Sequence, residues 1–199
     1  MTCLFAALAY LVGSIPTGYL LFRASEKKDI RSFGSRATGA TTVLRLKGRR
    51  FALPVALIDI AKGFLPAYFA LRIFADPELA VACASLAVFG HCFPVYIGFK
   101  GGKGVATAAG AMFAIAPGPA LLSLGVIAAT VALTRFVSLG SILAALLFPL
   151  FMGLFHLPLR LIALSLPILF IILIRHAENI GRLFAGTERK FGRTTGTAE

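Results

Sequence analysis

The chain alternates long apolar runs with short polar segments along its whole length. Each run is rich in Leu, Ile, Val, Ala and Phe, and several approach the ~20 residues that a helix needs to cross a bilayer. The seven runs cover residues 2–22, 51–74, 79–99, 105–116, 120–134, 139–155 and 161–174. This pattern predicts an all-α polytopic membrane protein with seven transmembrane helices and one domain, residues 1–199. The shorter runs predict broken or irregular helices around a site.

Charge gives the expected orientation. The chain is 58% hydrophobic with a mean hydropathy of +0.89 and a net charge of +12. If the N-terminus lies outside, segments 23–50, 99–104, 135–138 and 175–199 face the cytoplasm and hold 17 of the 20 Lys and Arg residues. Cytoplasmic loops accumulate basic residues. We therefore expect the N-terminus outside, the C-terminus in the cytoplasm, and the basic motifs on the cytoplasmic face of the inner membrane.

The first of these motifs lies in the long inner loop between Asp29 and Arg45. Gly34 and Gly39 flank a stretch of Ser and Thr residues, and three arginines lie in the same loop. Glycine lets backbone N–H groups approach an anion, and hydroxyl and guanidinium groups add donors. The loop has the composition of a phosphate site, although a flexible basic loop has the same composition.

A second motif contains four glycines and two lysines. It reads Gly98-Phe-Lys-Gly-Gly-Lys-Gly-Val-Ala-Thr107 and follows Gly90-His-Cys-Phe-Pro94. Ile97 and Gly104 occupy positions where a nucleotide-binding P-loop requires glycine and Ser or Thr, which argues against nucleoside triphosphate binding. A glycine-rich turn that leads into a helix still suits an anion.

Three further features are polar residues at or within the apolar runs. His176 and Asn179 share a face if their segment is helical, and Ser141 begins the sixth run. Asp59 and Lys62 lie inside the second run at i, i+3 spacing, which favours a structural ion pair over a proton or substrate path. The histidines do not match His-x4-Asp acyltransferases, and the sequence has no acidic cluster suited to a metal; we expect no metal and no cofactor.

Together these motifs resemble the bacterial membrane acyl-phosphate:glycerol-3-phosphate acyltransferases, the PlsY family. The resemblance covers nearly the whole chain, and the Gly98–Thr107 stretch is its most specific part. The other matching segments are Gly13-Ser-Ile-Pro16, Asp29–Arg45, Asp59-Ile-Ala-Lys-Gly63, Gly90–Val95 and Arg175–Leu183. The resemblance implies seven spans and transfer of an acyl chain from acyl phosphate to the 1-hydroxyl of glycerol 3-phosphate, giving lysophosphatidic acid and phosphate. It also implies as partners the two substrates, the lipid bilayer and an acyl-phosphate-producing enzyme.

The resemblance also assigns site residues. Catalytic roles are implied for Ser35, His91 and His176. Substrate binding is implied for Ser35, Gly39, Thr41, Arg45, Gly101, Gly102, Lys103, Ser141, His176 and Asn179. His91 would support the site from the third run, and either His176 or the substrate phosphate would accept the proton.

The chain departs from the family pattern in the first motif. Arg36 stands where the family usually has glycine, and Ala37 and Thr42 replace asparagines. Arg36 could supply charge or block the site. These departures leave open a catalytically impaired homologue that binds lipid. The basic glycine-rich motifs and the Asp59–Lys62 pair also suit an organic-phosphate transporter.

Overall fold

A computed structural model describes residues 1–192, and its ten α-helices form an all-helical bundle. The last residues of the predicted inner tail, 193–199, lie outside the described range. The helices in chain order are α1 (Thr2–Gly13), α2 (Thr17–Glu26), α3 (Ala40–Lys47), α4 (Arg49–Phe74), α5 (Pro77–Cys92), α6 (Val105–Ile115), α7 (Pro117–Thr134), α8 (Val137–Leu154), α9 (Leu159–Arg175) and α10 (Ala177–Phe184).

In the described part of the chain, five helical segments are long and apolar enough to cross a membrane. The first segment consists of α1 and α2 together, and the other four are α4, α5, α7 and α8. The helices α9 and α10 meet at a bend of 55° and make a sixth segment if they are counted as one span. The remaining apolar helix, α6, has 11 residues and is about 17 Å long, well short of the ~30 Å hydrocarbon core. The multi-pass membrane architecture is confirmed, while the count of seven spans stays a prediction.

The first apolar run is a broken helix, where the sequence pattern predicted a continuous one. Proline lacks an N–H, so a backbone hydrogen bond is lost at Pro16, and its ψ of 71° departs from the helical conformation. Lys62 of α4 donates to the carbonyl oxygen of Ile15 at 2.8 Å, and its Nζ lies 2.8 Å from Asp59 Oδ1. The predicted Asp59–Lys62 pair is confirmed, and the lysine also provides a partner for a carbonyl group at the break.

The third apolar run is shorter as a helix than predicted. α5 ends at Cys92, seven residues before Phe99, because Pro94 disfavours helical backbone at the preceding residue, Phe93. Residues 95–97 form a single 3-10 turn, and Gly98 adopts a left-handed conformation. This conformation reverses the chain, so that the glycine-rich turn before α6 lies against the end of α5.

Close packing brings the middle of α4 against the first turns of α6. A side chain at Gly63 would overlap the backbone carbonyl of Thr107, and one at Gly110 would overlap that of Ile60. Small residues permit such approach of two membrane helices. This contact fixes α6, and therefore the turn before it, beside Asp59 of α4.

The C-terminal segment, residues 185–192, folds back across the ends of the helices. The N–H of Phe191 donates to the carbonyl oxygen of Arg135, and the Arg135 guanidinium donates to the carbonyl oxygen of Phe191 at 2.9 and 3.1 Å. These bonds tie the segment to the α7–α8 connection and position Glu188 at the site.

Candidate active site

A cavity of about 320 Å³ lies at the end of the bundle where the sequence motifs meet. Its walls come from the loop before α3, from α3 to α8, and from the α9–α10 bend. Nine of the eleven predicted site residues line it: Ser35, Gly39, Thr41, Arg45, His91, Lys103, Ser141, His176 and Asn179. The fold therefore brings side chains that are more than 140 positions apart into one site.

Lys103 is the central cation of the cavity. Its Nζ donates to the side-chain oxygen of Asn179 at 2.5 Å. Burial lowers the pKa of Lys103 to about 8, and the positive charges of Arg182 and Arg45 act in the same direction. A bound anion would stabilise the ammonium form of such a lysine, because a nearby opposite charge favours the charged form.

The Lys103 side chain extends from the Gly101–Gly102 turn, which forms a support behind the cavity. Gly101 and Gly102 are the two predicted binding residues that do not line the cavity. Their N–H groups donate to the carbonyl oxygens of Cys92 and His91 at 3.2 and 3.0 Å. The predicted direct contact of these glycines with substrate therefore has no support from the geometry.

His91 lies against this turn. A side chain at Gly102 would overlap the His91 imidazole, whose Nδ1 is 3.7 Å from Asp59 Oδ1. The side chains of His91 and Asp59 are both buried. This placement agrees with a supporting role for His91.

His176 presents one ring nitrogen to the cavity. Its Nδ1 lies 2.8 Å from the carbonyl oxygen of Ile172. A carbonyl oxygen can only accept, so Nδ1 carries the proton, and in the neutral ring Nε2 is the acceptor. The side chain is thus prepared to accept a hydrogen bond, or a proton, from a bound hydroxyl group.

Glu188 is a residue that the sequence analysis did not identify. Its carboxylate accepts hydrogen bonds from Ser138 at 2.8 Å, from Asn179 at 2.7 Å and from Arg182 at 2.7 Å. Burial alone would raise the pKa of Glu188, but these hydrogen bonds outweigh it and lower the pKa. The carboxylate orients Asn179, which in turn contacts Lys103.

The loop before α3 supplies the opposite wall. The hydroxyls of Ser35 and Thr42 are 3.0 Å apart. α3 begins after Gly39, and Gly39, Ala40 and Thr41 line the cavity. The first N–H groups of a helix have no partner within the helix, so this end can receive negative charge.

An apolar groove adjoins the polar cavity and lies between α6, α7, α8 and α9. The two spaces share Val105, Ala109, Leu124, Ile127 and Ser141 as wall residues. Apart from three serines, the groove is lined by apolar side chains. The site thus combines a polar cavity lined by Arg45 and Lys103 with an adjoining apolar groove of about 60 Å³.

Comparison with known proteins assigns the family. A model of the glycerol-3-phosphate acyltransferase family matches residues 3–186. The chain is 46% identical over 187 residues to the glycerol-3-phosphate acyltransferase of Geobacter sulfurreducens, covering 93% of this chain and 95% of that protein. It is 43% identical over 190 residues to that of Shouchella clausii, covering 92% and 93%. The chain belongs to the glycerol-3-phosphate acyltransferase family.

Solved structures agree with this assignment. The fold matches a crystal structure of PlsY (YgiH), an integral membrane glycerol 3-phosphate acyltransferase, in its glycerol 3-phosphate form, with a TM-score of 0.92, 38% identity and 96% coverage of both chains. The lysophosphatidic acid form matches with a TM-score of 0.88 and 38% identity, covering 96% of this chain and 95% of that one. The predicted family is confirmed, which favours acyl transfer over transport.

The departures from the family pattern leave the cavity open. Arg36 lines an adjoining basic vestibule of about 730 Å³, and it is not among the residues that line the cavity itself. Its backbone has a φ of 56°, a left-handed conformation that glycine adopts more readily. Thr42 supplies a hydroxyl that contacts Ser35. Of the two predicted effects of Arg36, blockage of the cavity has no support from this geometry.

Within residues 1–192, no group of three or more His, Cys, Asp or Glu side chains is placed to hold a metal ion. The cations that line the cavity are Arg45 and Lys103. The arrangement is suited to binding a phosphate and positioning a hydroxyl group.

Proposed function

We propose that the chain transfers an acyl group from an acyl phosphate to the 1-hydroxyl of glycerol 3-phosphate and releases lysophosphatidic acid and inorganic phosphate. Acyl transfer to glycerol 3-phosphate is the activity of its family; the donor and the acylated position are the proposal. The observation that carries it is the shared wall between the cavity around Lys103 and the apolar groove, because one substrate is a small anion and the other carries a hydrocarbon chain.

Glycerol 3-phosphate would bind in the cavity with its phosphate between Lys103 and Arg45. Asn179 and Ser141 would supply further polar contacts. The Ser141 hydroxyl donates to the carbonyl oxygen of Val137 at 2.9 Å, so it must rotate before it can donate to a ligand. Charge-assisted hydrogen bonds to phosphate are stronger than neutral ones.

The acyl chain would lie in the apolar groove with its carbonyl carbon at the mouth near Ser141. The acyl-phosphate group would then face the opposite wall, Ser35 and the start of α3. Backbone N–H groups there could stabilise the oxyanion that forms on the carbonyl oxygen, worth about 3–4 kcal/mol per donor.

The chemical step needs no covalent enzyme intermediate, because an acyl phosphate is already activated. The 1-hydroxyl oxygen attacks the carbonyl carbon, a new C–O bond forms, and the bond from carbon to phosphate oxygen breaks. The hydroxyl proton passes to His176 Nε2 or to a substrate phosphate. Holding the two groups in near-attack geometry supplies roughly 7–11 kcal/mol of the barrier reduction.

The proposal includes the placement of the site on the cytoplasmic side of the inner membrane. It requires seven passes, with the short α6 as one of them, the N-terminus outside and the C-terminus inside. Support comes from the 17 of 20 basic residues in the segments assigned to the inside. The phosphate substrate would then enter from the cytoplasm, where an acyl-phosphate-producing enzyme would act as a partner.

Donor identity is tested on purified protein in lipid. We expect product with palmitoyl phosphate and glycerol 3-phosphate, with equal amounts of phosphate and 1-acyl lysophosphatidic acid. Palmitoyl-CoA and palmitoyl-acyl carrier protein serve as the other donors. Turnover with either of these and none with palmitoyl phosphate would contradict the proposed donor.

Orientation is tested with single cysteines in a background that lacks the three native ones. Arg160→Cys should react with an impermeant maleimide added to intact spheroplasts, because Arg160 lies in the first turn of α9, at the end that the proposal places outside. Lys28→Cys should react only after permeabilisation. The reverse pattern would refute the cytoplasmic site.

A further inference from the structure

Arg175, the last residue of α9, contacts the glycine-rich turn directly. Its Nε donates to the carbonyl oxygen of Gly102 at 3.0 Å, and its Nη2 donates to that of Gly101 at 3.1 Å. Its guanidinium carbon lies 5.4 Å from the centre of the Phe93 ring. One side chain therefore holds two successive peptide groups in a fixed orientation.

The other side of the same turn is fixed by α5. The N–H groups of Gly101 and Gly102 bond to the carbonyl oxygens at the end of α5. A side chain at Gly101 would overlap the His91 carbonyl and Pro94, so the turn lies flush against the helix. Arg175 supplies the matching bonds to the two carbonyl groups of the turn.

Arg175 connects the glycine-rich turn to the end of α9, and each of these segments is followed directly by a residue of the active site. Lys103 directly follows the turn, and His176 directly follows Arg175. Lys103 Nζ also bonds to Asn179, four positions after Arg175. Arg175 itself is not among the residues that line the catalytic cavity. Its contacts are with the backbone that carries the cavity residues.

We propose that Arg175 is a positioning residue for acyl transfer, which sets Lys103 at the correct distance from His176 and Asn179 by clamping the Gly101–Gly102 turn to the end of α9. The inference rests on the proposed function. It assigns Arg175 a geometric role, in which the planar guanidinium matches two carbonyl oxygens at once, a fit that a lysine ammonium cannot reproduce.

A charge role is the competing explanation, because Arg175 also lines the basic vestibule. The two roles predict different results for substitution by lysine. If Arg175 only attracts an anionic substrate, Arg175→Lys keeps nearly normal kinetics. If it clamps the turn, Arg175→Lys is impaired almost as much as Arg175→Met.

The kinetic test compares wild type, Arg175→Lys and Arg175→Met with the control Arg160→Met. Arg160 is an exposed arginine on the same helix, paired with Glu78. We expect the KM for glycerol 3-phosphate to rise by about tenfold or more in both Arg175 variants, on the scale of losing charged hydrogen bonds, with the KM for acyl phosphate changed less than about threefold. Arg160→Met should match wild type. A lysine variant within about threefold of wild type would overturn the proposal.

Hydrogen exchange tests the clamp without reference to activity. We expect faster exchange at residues 101–104 in Arg175→Met and Arg175→Lys than in wild type and Arg160→Met, with protection of α9 retained. Unchanged exchange in the turn would overturn the clamp. This measurement also separates two failures: an inactive wild type would refute the proposed function, whereas unaltered exchange in the variants would refute the role of Arg175.

Discussion

At the residue scale, the central feature is a half-buried lysine whose charge depends on pH. Burial lowers the pKa of Lys103 to about 8, so the ammonium form dominates below that pH and is lost above it. We predict that kcat/KM for glycerol 3-phosphate falls as pH rises through about 8, approaching tenfold per pH unit. Steady-state rates from pH 6.5 to 9.5 measure this.

Lys103→Arg provides the matched control, because arginine stays charged throughout this range. Its pH profile should be flat between 7.5 and 9.5, whatever its absolute activity. The same decline in the arginine variant would show that another group is titrating.

A second residue prediction concerns His176. Loss of the Nε2 acceptor should lower kcat by about 100-fold or more, the usual contribution of a positioned base. We would measure His176→Ala at saturating substrates, with His156→Ala, an exposed histidine far from the cavity, as control. Full turnover in His176→Ala would exclude the histidine and leave the substrate phosphate as the base.

Most of the cavity could be predicted residue by residue, because glycines, hydroxyls and basic groups form recognisable motifs. Glu188 could not. One of three glutamates in a basic tail carries no local pattern, and its importance arises only when the chain returns to Ser138 and Asn179. The one signal was the rarity of acidic residues in this sequence, eight in all.

At the element scale, the packing of the middle of α4 against the start of α6 depends on contact between backbones. Gly63→Ala should destabilise the protein by about 1–3 kcal/mol, because its methyl group would meet the Thr107 carbonyl. Gly153→Ala is the control, since no heavy atom lies within 4 Å of its added carbon. Unfolding midpoints in the same detergent compare them, and equal midpoints would contradict the packing argument.

The positions of the long helices followed from the apolar runs, but their ends did not, and α3 lies within the predicted polar loop 23–50. Pro16 and Pro94 were visible in the sequence, but average hydropathy is insensitive to single prolines. It therefore predicts one continuous helix where the backbone forms two shorter elements. The breaks depend on tertiary partners, such as Lys62 at the carbonyl group of Ile15. These partners lie far away in sequence, so a local pattern cannot reveal them.

At the scale of the whole molecule, the apolar groove should determine which acyl chains are accepted. Ala145→Phe places a large ring in the groove wall and should raise the KM for palmitoyl phosphate more than that for decanoyl phosphate. Leu146→Phe, on the neighbouring exposed position, should leave the ratio of the two KM values unchanged. An unaltered ratio in Ala145→Phe would show that the acyl chain lies elsewhere.

In the proposed function, the cavity around Lys103 performs acyl transfer to glycerol 3-phosphate. The most direct test measures kcat/KM for glycerol 3-phosphate, with palmitoyl phosphate as donor, in wild type, Lys103→Ala and Lys28→Ala, an exposed lysine outside the cavity. We predict stoichiometric lysophosphatidic acid and phosphate from wild type, a loss of about 100-fold in Lys103→Ala from a lost buried charge contact, and no change in Lys28→Ala. Equal activity in Lys103→Ala and wild type, or no product from folded wild-type protein, would contradict the account.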